Sequence, residues 1–178
     1  MKILIFSDSH GDLKTMCDVA EKEQPNIIIY LGDGIADAEE VGRRYPDIQM
    51  IKNLGNIDID SQEDEEWIKY TEICGKRLMM THGHTFYTEY KMTQNGTFEI
   101  SQDGMAKARL KIIKFMDENG IDITLHGHTH EPCLTQSGRG WIMCPGRIGR
   151  YTDAINPMYG MLKIRESGAL EWQFVEVE

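Results

Sequence analysis

Carboxylate, amide and imidazole side chains recur in five short stretches: Asp8-Ser9-His10, Gly32-Asp33, Gly55-Asn56, Thr81-His82-Gly83-His84 and His126-Gly127-His128-Thr129-His130. All six histidines of the chain fall in three of these stretches. Imidazole is the commonest metal-ligating side chain. A mixed nitrogen and oxygen donor set without thiolate suits Mn, Fe, Zn, Co or Ni, and the imidazoles argue against a pure Mg or Ca site. The donors exceed what one ion takes, about four to six including water. Two ions roughly 3.5–4 Å apart, sharing a carboxylate and a water, would use them all. Each stretch alone has a plainer reading: Asp8 and His10 suit a strand-end turn with an N-cap, and Gly32-Asp33-Gly34 suits an ordinary turn. Their joint occurrence is what points to a metal centre.

For the stretches to meet, the elements before them must end at one edge. Lys2–Ser7 is an apolar run of strand length closed by turn residues. Asp12 is a candidate N-cap for a helix with Leu13, Met16, Cys17 and Ala20 on one face. Ile27–Leu31 reads as a second buried strand, Ile35–Tyr45 as a helix ending before Pro46, and Ile48, Met50 and Ile51 as a third strand. This β-α-β-α-β order predicts a parallel sheet covered by helices. Trp67–Ile73 and Arg77–Thr81, split by Gly75, read as an antiparallel pair. Asn95-Gly96, inside Tyr87–Ile100, is a hairpin signal. Met105, Ala108, Ile112, Phe115 and Met116 mark a third helix stopped at Asn119-Gly120. Strands follow around Ile123–Leu125, Trp141–Cys144, Tyr159–Ile164 and Leu170–Val177. The expectation is an α/β fold of two packed sheets flanked by helices. Ligands of open α/β sheets sit beyond the carboxyl ends of the strands, which places all five stretches on one rim.

At 178 residues the chain suits a single domain spanning 1–178. Its net charge of −10 argues against non-specific binding to nucleic acid or anionic membrane. It leaves a phosphate substrate open, since a bound cation dominates its local field. The run Ile3–Phe6 is too short for a signal peptide or a span, so a cytoplasmic protein without membrane partners is expected. Cys17, Cys74, Cys133 and Cys144 form no C-x-x-C pair and read as ordinary thiols.

In this order, Asp8-x-His10, Gly32-Asp33, Gly55-Asn56, His82 and Gly127-His128-Thr129-His130 resemble the calcineurin-like metallophosphoesterases over most of the chain. The length and the Thr81–His84 stretch are similar to the small YfcE-like phosphodiesterase branch. The resemblance implies a four-layer α/β/β/α sandwich of two mixed sheets flanked by helices. It implies Asp8, His10 and His130 on a first metal, Asn56, His82 and His128 on a second, and Asp33 bridging. Manganese is the favoured ion, with Zn, Fe, Ni, Co and Mg as alternatives. The implied reaction is hydrolysis of a small phosphate ester, a diester before a monoester, by in-line attack of a hydroxide held between two divalent ions. The retromer subunit that shares the fold supplies another reading, a protein-interaction scaffold. The acidic charge and the absence of an added domain weigh against a nuclease, and homo-oligomer formation is left open.

Three departures from the family pattern matter. Many members carry Gly-Asn-His-Asp/Glu, whose His can protonate the leaving group, whereas Gly55-Asn56-Ile57-Asp58 has Ile57 there. Losing a general acid typically costs about 10²–10⁴-fold, so good leaving groups or another acid, His84, are expected, with Asp58 orienting the Asn56 loop. Asp37 lies one place too late to match Gly-Asp-x-x-Asp and receives no ligand role. Arg147 and Arg150 stand near a frequent Pro-Gly-Ser position, where an arginine either grips a second anionic group or lies solvated at the surface. His126 is expected to be structural. The Thr85–Asp103 segment, longer than the branch leads one to expect, could wall the pocket, join a second copy or form a surface flap.

Overall fold

The computed structural model describes residues 1–58, 67–94, 96, 98–138, 140–150 and 156–177. The alternating pattern of the first strand sets out the layers. In β1 (Lys2–Phe6) Ile3 and Ile5 face one side, and Leu4 and Phe6 face the other. Leu4 and Phe6 pack on Met16 and Ala20 of α1 (Leu13–Glu23) and on Ala38 and Val41 of α2 (Ile35–Arg44). Ile3 and Ile5 instead meet Leu78 and Met80 of β5 (Lys76–Thr81) and Leu125 of β8 (Ile123–Leu125), across the space between two sheets. On the far side, Met79 of β5 packs against Ala108, Ile112 and Met116 of α3 (Gln102–Asn119). The order is thus helices, sheet, sheet, helix: the expected four-layer α/β/β/α sandwich. Each fully buried Ile or Leu contributes about 1.5–3 kcal/mol, and most of these are fully buried.

The first sheet runs β12-β11-β1-β2-β3, with β2 (Ile27–Tyr30), β3 (Gln49–Lys52), β11 (Met158–Ile164) and β12 (Leu170–Glu176). Strands β1, β2 and β3 are parallel, and β11 and β12 add antiparallel pairings. The second runs β4-β5-β8-β10-β9, with β4 (Ile68–Ile73), β9 (Pro132–Ser137) and β10 (Gly140–Pro145). Here β5, β8 and β10 are parallel, and β4 and β9 form antiparallel edges. Both sheets are therefore mixed, each with three adjacent parallel strands feeding a common rim.

One feature differs from the sequence reading. Strand β9 was not expected. It opens with a proline and pairs only with β10, and its residues alternate between exposed and half-buried. Proline is tolerated at the start of an edge strand, and such a strand lacks the apolar run that betrays a buried one. The hairpin signal is matched by β6 (Tyr90–Met92) and β7 (Phe98–Ile100), a separate antiparallel pair; Asn95 itself lies outside the described residues. Among the described residues, no helix is long and apolar enough to cross a membrane.

Opposite the rim, Glu23 ties three elements together. Its carboxylate accepts from Lys2 Nζ at 2.7 Å and from the Tyr159 hydroxyl at 2.8 Å. The Lys2 ammonium, against the opposing effect of burial and with help from Tyr159, holds this carboxyl below the ordinary glutamate range. A carboxyl depressed in the folded state adds stability above its unfolded pKa of about 4.3, and loses it as pH falls through the folded value. Glu23→Gln is therefore expected to lower unfolding free energy by about 1 kcal/mol at pH 7. Urea titrations at descending pH should show the gap between wild type and variant closing below about pH 4.

Candidate metal centre

The residues at the rim leave their strands through turns that side chains rarely adopt. Asp8, His10, Asp33, His128 and His130 all have left-handed backbone, with φ of 57°, 48°, 62°, 66° and 57°. Non-glycine residues in this region cost energy and persist where the surroundings dictate them. The surroundings here are specific. The Asp58 carboxylate accepts from four backbone N–H groups: Asp33 at 2.7 Å, Gly34 at 2.9 Å, Ile35 at 3.0 Å and Gly55 at 2.8 Å. It thereby joins the loop after β3 to the loop after β2 and places an anion at the N-terminus of α2, where the helix dipole favours one. Asp37 does the same for the loop after β1, accepting from Ser9 Oγ at 2.6 Å and Gly11 N at 2.9 Å. Two glycines let the loops close. A Cβ on Gly55 would collide with the Asp33 carboxylate, and one on Gly127 with the Ser7 side chain and Asp8 Oδ2.

The side chains so delivered converge. Asp8 is fully buried, and its Oδ1 has three imidazoles around it: His130 Nε2 at 3.1 Å, His10 Nε2 at 3.9 Å and His82 Nε2 at 3.9 Å. His82 Nε2 lies 3.2 Å from Asp33 Oδ2 and 3.3 Å from His128 Nδ1. His82 Nδ1 sits 2.8 Å from the Leu31 carbonyl; since a carbonyl only accepts, the proton belongs on Nδ1 and the lone pair on Nε2 faces the cluster. His128 turns Nε2 outward to the Tyr90 hydroxyl at 2.7 Å. Such outer partners commonly orient ligating imidazoles.

The charges reflect this crowding. Burial opposes ionisation of Asp8, yet the His130 contact and the fields of His82 and His130 hold its carboxyl below the usual range. Burial likewise opposes the Asp33 carboxylate and the His82 imidazolium, but their mutual contact lowers the first and raises the second. Burial, reinforced by neighbouring His82, pushes His128 down to about 4 and keeps it neutral. His126 is fully buried and likewise pushed to about 4. Its ring contacts the Tyr87 hydroxyl at 3.1 Å and the Gly127 carbonyl at 3.0 Å, a packing role inside the second sheet.

These donors fit divalent metal. Asp8, His10 and His130 offer ligand atoms within 4.8 Å of one another, and so do Asp8, Asp33 and His82. Asp8 is common to both groups, whereas the family pattern gives the bridging role to Asp33. Asp8 Oδ1 and Asn56 Oδ1 are buried without a well-formed hydrogen bond, a costly state for a polar atom unless a ligand meets it. His10, Asp33, Asn56, His128 and His130 open onto one cleft, whose wall includes Tyr90, Phe98 and Ile100. His84 is not among the described residues lining the cleft; its ring centroid is 4.8 Å from that of Trp67 and 6.2 Å from that of His128.

The two arginines are placed differently. Arg147 is buried, so it is not a solvated surface arginine. Arg150 is exposed and borders a separate depression with Asp12 and Lys14. Neither is among the described residues lining the cleft. Sequence reasoning missed the Asp37 contacts, since no ligand spacing marked that residue, and the Tyr90–His128 contact, since the register of the inserted hairpin was not legible.

The profile of the calcineurin-like phosphoesterase superfamily domain matches residues 1–167. Among curated protein sequences, none matches the chain significantly. Solved structures give its fold. A conserved protein of Streptococcus pneumoniae TIGR4, described as a predicted phosphoesterase, superposes with a TM-score of 0.71 at 21% identity, over 98% of this chain and 88% of that one. A structure described as a novel archaeal phosphodiesterase gives 0.65 at 21% identity, over 98% and 100%. Vps29 of Entamoeba histolytica complexed with zinc gives 0.63 at 15% identity, over 99% of each chain. The neighbours are thus phosphoesterases, YfcE among them, and Vps29 proteins. From residue 1 to 167 the chain carries the family's domain: it belongs to the calcineurin-like phosphoesterase superfamily.

Proposed function

We propose that this chain is a single-domain, dinuclear metal-dependent phosphodiesterase. The observation that carries the reading is the convergence of Asp8, His10, Asp33, His82, His128 and His130 around buried, poorly satisfied oxygen atoms at one strand-end rim. Asp8, His10 and His130 would hold the first ion, and Asn56, His82 and His128 the second, with Asp33 between them. Two such ions, when bound, acidify a water and neutralise charge on phosphoryl oxygens. Manganese is the ion favoured beside the family resemblance, and the mixed nitrogen and oxygen donor set accommodates Zn, Fe, Ni, Co and Mg as alternatives.

The chain's own groups do the rest. His82 presents Nε2 because its Nδ1 is held by Leu31, and His128 presents Nδ1 because its Nε2 faces Tyr90. Asp58 is committed to four backbone donors, so its part is to shape the Asn56 loop. Ile57 is exposed and cannot deliver a proton. His84, beside His82 and His128 with Nδ1 buried and lacking a hydrogen bond, is the candidate for that task. Burial, reinforced by neighbouring His82, holds His84 below the ordinary imidazole range and makes it a weak donor, so activated esters and diesters are favoured over monoesters. The four cysteines are free, which suits the cytoplasm expected from the sequence. The second reading, an interaction scaffold, is supported by the Vps29 neighbours. The retained ligand set favours the enzyme.

Hydrolysis of bis-p-nitrophenyl phosphate and p-nitrophenyl phosphate, measured after chelation and after adding back Mn, tests the reading. The diester is expected to turn over faster, only with metal. Failure of both esters with every divalent metal would overturn the enzyme and favour the scaffold. Elemental analysis tests the site separately: wild type should bind two equivalents and His128→Ala close to one. A variant that still binds two would sink the ligand assignment.

A further inference from the structure

The β6–β7 hairpin belongs to neither large sheet among the described residues. Isolated two-stranded ribbons are marginal in water, so what fixes this one is informative. At its root, Ser101 N donates to the Glu89 carbonyl at 2.9 Å, and Lys107 Nζ lies 2.9 Å from both Glu89 carboxylate oxygens. Further along, the Tyr90 hydroxyl meets His128 Nε2 at 2.7 Å. One anchor is thus α3 and the other is a candidate metal ligand.

Its two faces differ. Tyr90 stands opposite Ile100 and Met92 opposite Phe98, so these four share one face. Lys91 stands opposite Glu99 on the other, their charges 3.8 Å apart. Tyr90, Phe98 and Ile100 line the cleft above the ligand cluster. Yet Tyr90 is 47%, Met92 67% and Phe98 68% exposed. Single exposed apolar residues need no explanation, but a contiguous face of them beside a site does. Its position names the occupant: the wall begins one hydrogen bond from His128, so a group resting on it lies within the span of one ester from a phosphorus atom at the cluster.

We propose that this face is the specificity wall of the site, and that it binds a planar aromatic group next to the scissile phosphate. The substrate class is then an aryl or nucleoside phosphodiester, as opposed to an alkyl or polyol ester. The proposal rests on the phosphoesterase reading. Tyr90 and Phe98 offer ring faces on which an aromatic group stacks, whereas an alkyl group gains only its smaller buried area.

The test uses two diesters with the same leaving group, phenyl p-nitrophenyl phosphate and ethyl p-nitrophenyl phosphate, on the Mn-loaded full chain. The phenyl ester is expected to have the higher kcat/KM, by about tenfold, and Phe98→Ala should shrink that ratio at least about fivefold, with Phe98→Tyr restoring it. A binding readout stands beside it: titration calorimetry with phenylphosphonate and ethylphosphonate, neither of which turns over, should show the same preference and the same loss. Equal kcat/KM for the two esters, or a ratio and an affinity gap unchanged in Phe98→Ala, would overturn the wall. So would a dimer in sedimentation that Phe98→Ala dissociates while selectivity persists, which would assign the face to a second copy. Absence of turnover with both esters would instead overturn the phosphoesterase reading beneath it, so the two failures are distinguishable.

Discussion

A carboxylate without solvent is the constraint on which this structure depends. Asp8 has no exposed surface, and Asp33 has 4%. An ionised carboxylate taken from water costs several kcal/mol even after relaxation. Part of that cost is offset by the His128 N–H, which donates to Asp8 Oδ2 at 3.2 Å, and by the imidazoles gathered round Oδ1. Oδ1 itself still lacks a well-formed hydrogen bond. Protonation would relieve it, but the surrounding histidines hold Asp8 below the usual carboxylate range. A cation relieves it without that conflict. The left-handed turns, the Asp58 clamp and the close-packed glycines serve to keep this unfavourable arrangement from relaxing.

The constraint also explains why the site straddles the two sheets. The two sheets share one apolar core, whose attraction is non-directional. At the rim they are cross-linked by polar contacts. His82 on the second sheet meets the Leu31 carbonyl on the first at 2.8 Å, and Asn53 Nδ2 donates to the Met80 carbonyl at 3.0 Å. Ile148 N donates to the Ser7 carbonyl at 2.9 Å. The ligands of the proposed first and second ions come from both sheets. Their separation is therefore set by the packing of Ile3, Ile5, Leu78, Met80 and Leu125 as much as by the loops themselves.

Much of this was legible before any coordinates. Apolar runs such as Ile27–Leu31 and Ile123–Leu125 have one stable use in a chain this size, and the polar residues that end them follow. The candidate ligand residues could be singled out because each sits at a strand end, where spacing in sequence translates directly into position. What could not be read depends on pairing. Strand β9 alternates weakly and starts with Pro132, so only its partner β10 defines it. Arg147 reads as a rim residue from its distance to β10, but the fold turns it inward. Asp37 looked one place out of register for a ligand; its contacts to Ser9 and Gly11 show a carboxylate used to shape a neighbouring loop. Tyr90 comes close to His128 only because a ribbon folds back over the rim, a relation that no local pattern encodes.

That ribbon separates two tasks which a single rigid site would bind together. The buried cluster recognises what every phosphate ester shares, a tetrahedral anion, and its geometry is over-determined by the two sheets. It has little means of telling one organic group from another. The hairpin can: its apolar face carries side chains that differ in shape, and it hangs from α3 and one tyrosine hydroxyl. Loops on a rigid scaffold change without cost to the core, and a weakly held ribbon sits at the low end of local stability. Altering Met92 or Phe98 disturbs neither sheet, because neither side chain enters one of the three buried cores. Selectivity placed there can vary while the carboxylates that make the reaction possible stay where burial has fixed them.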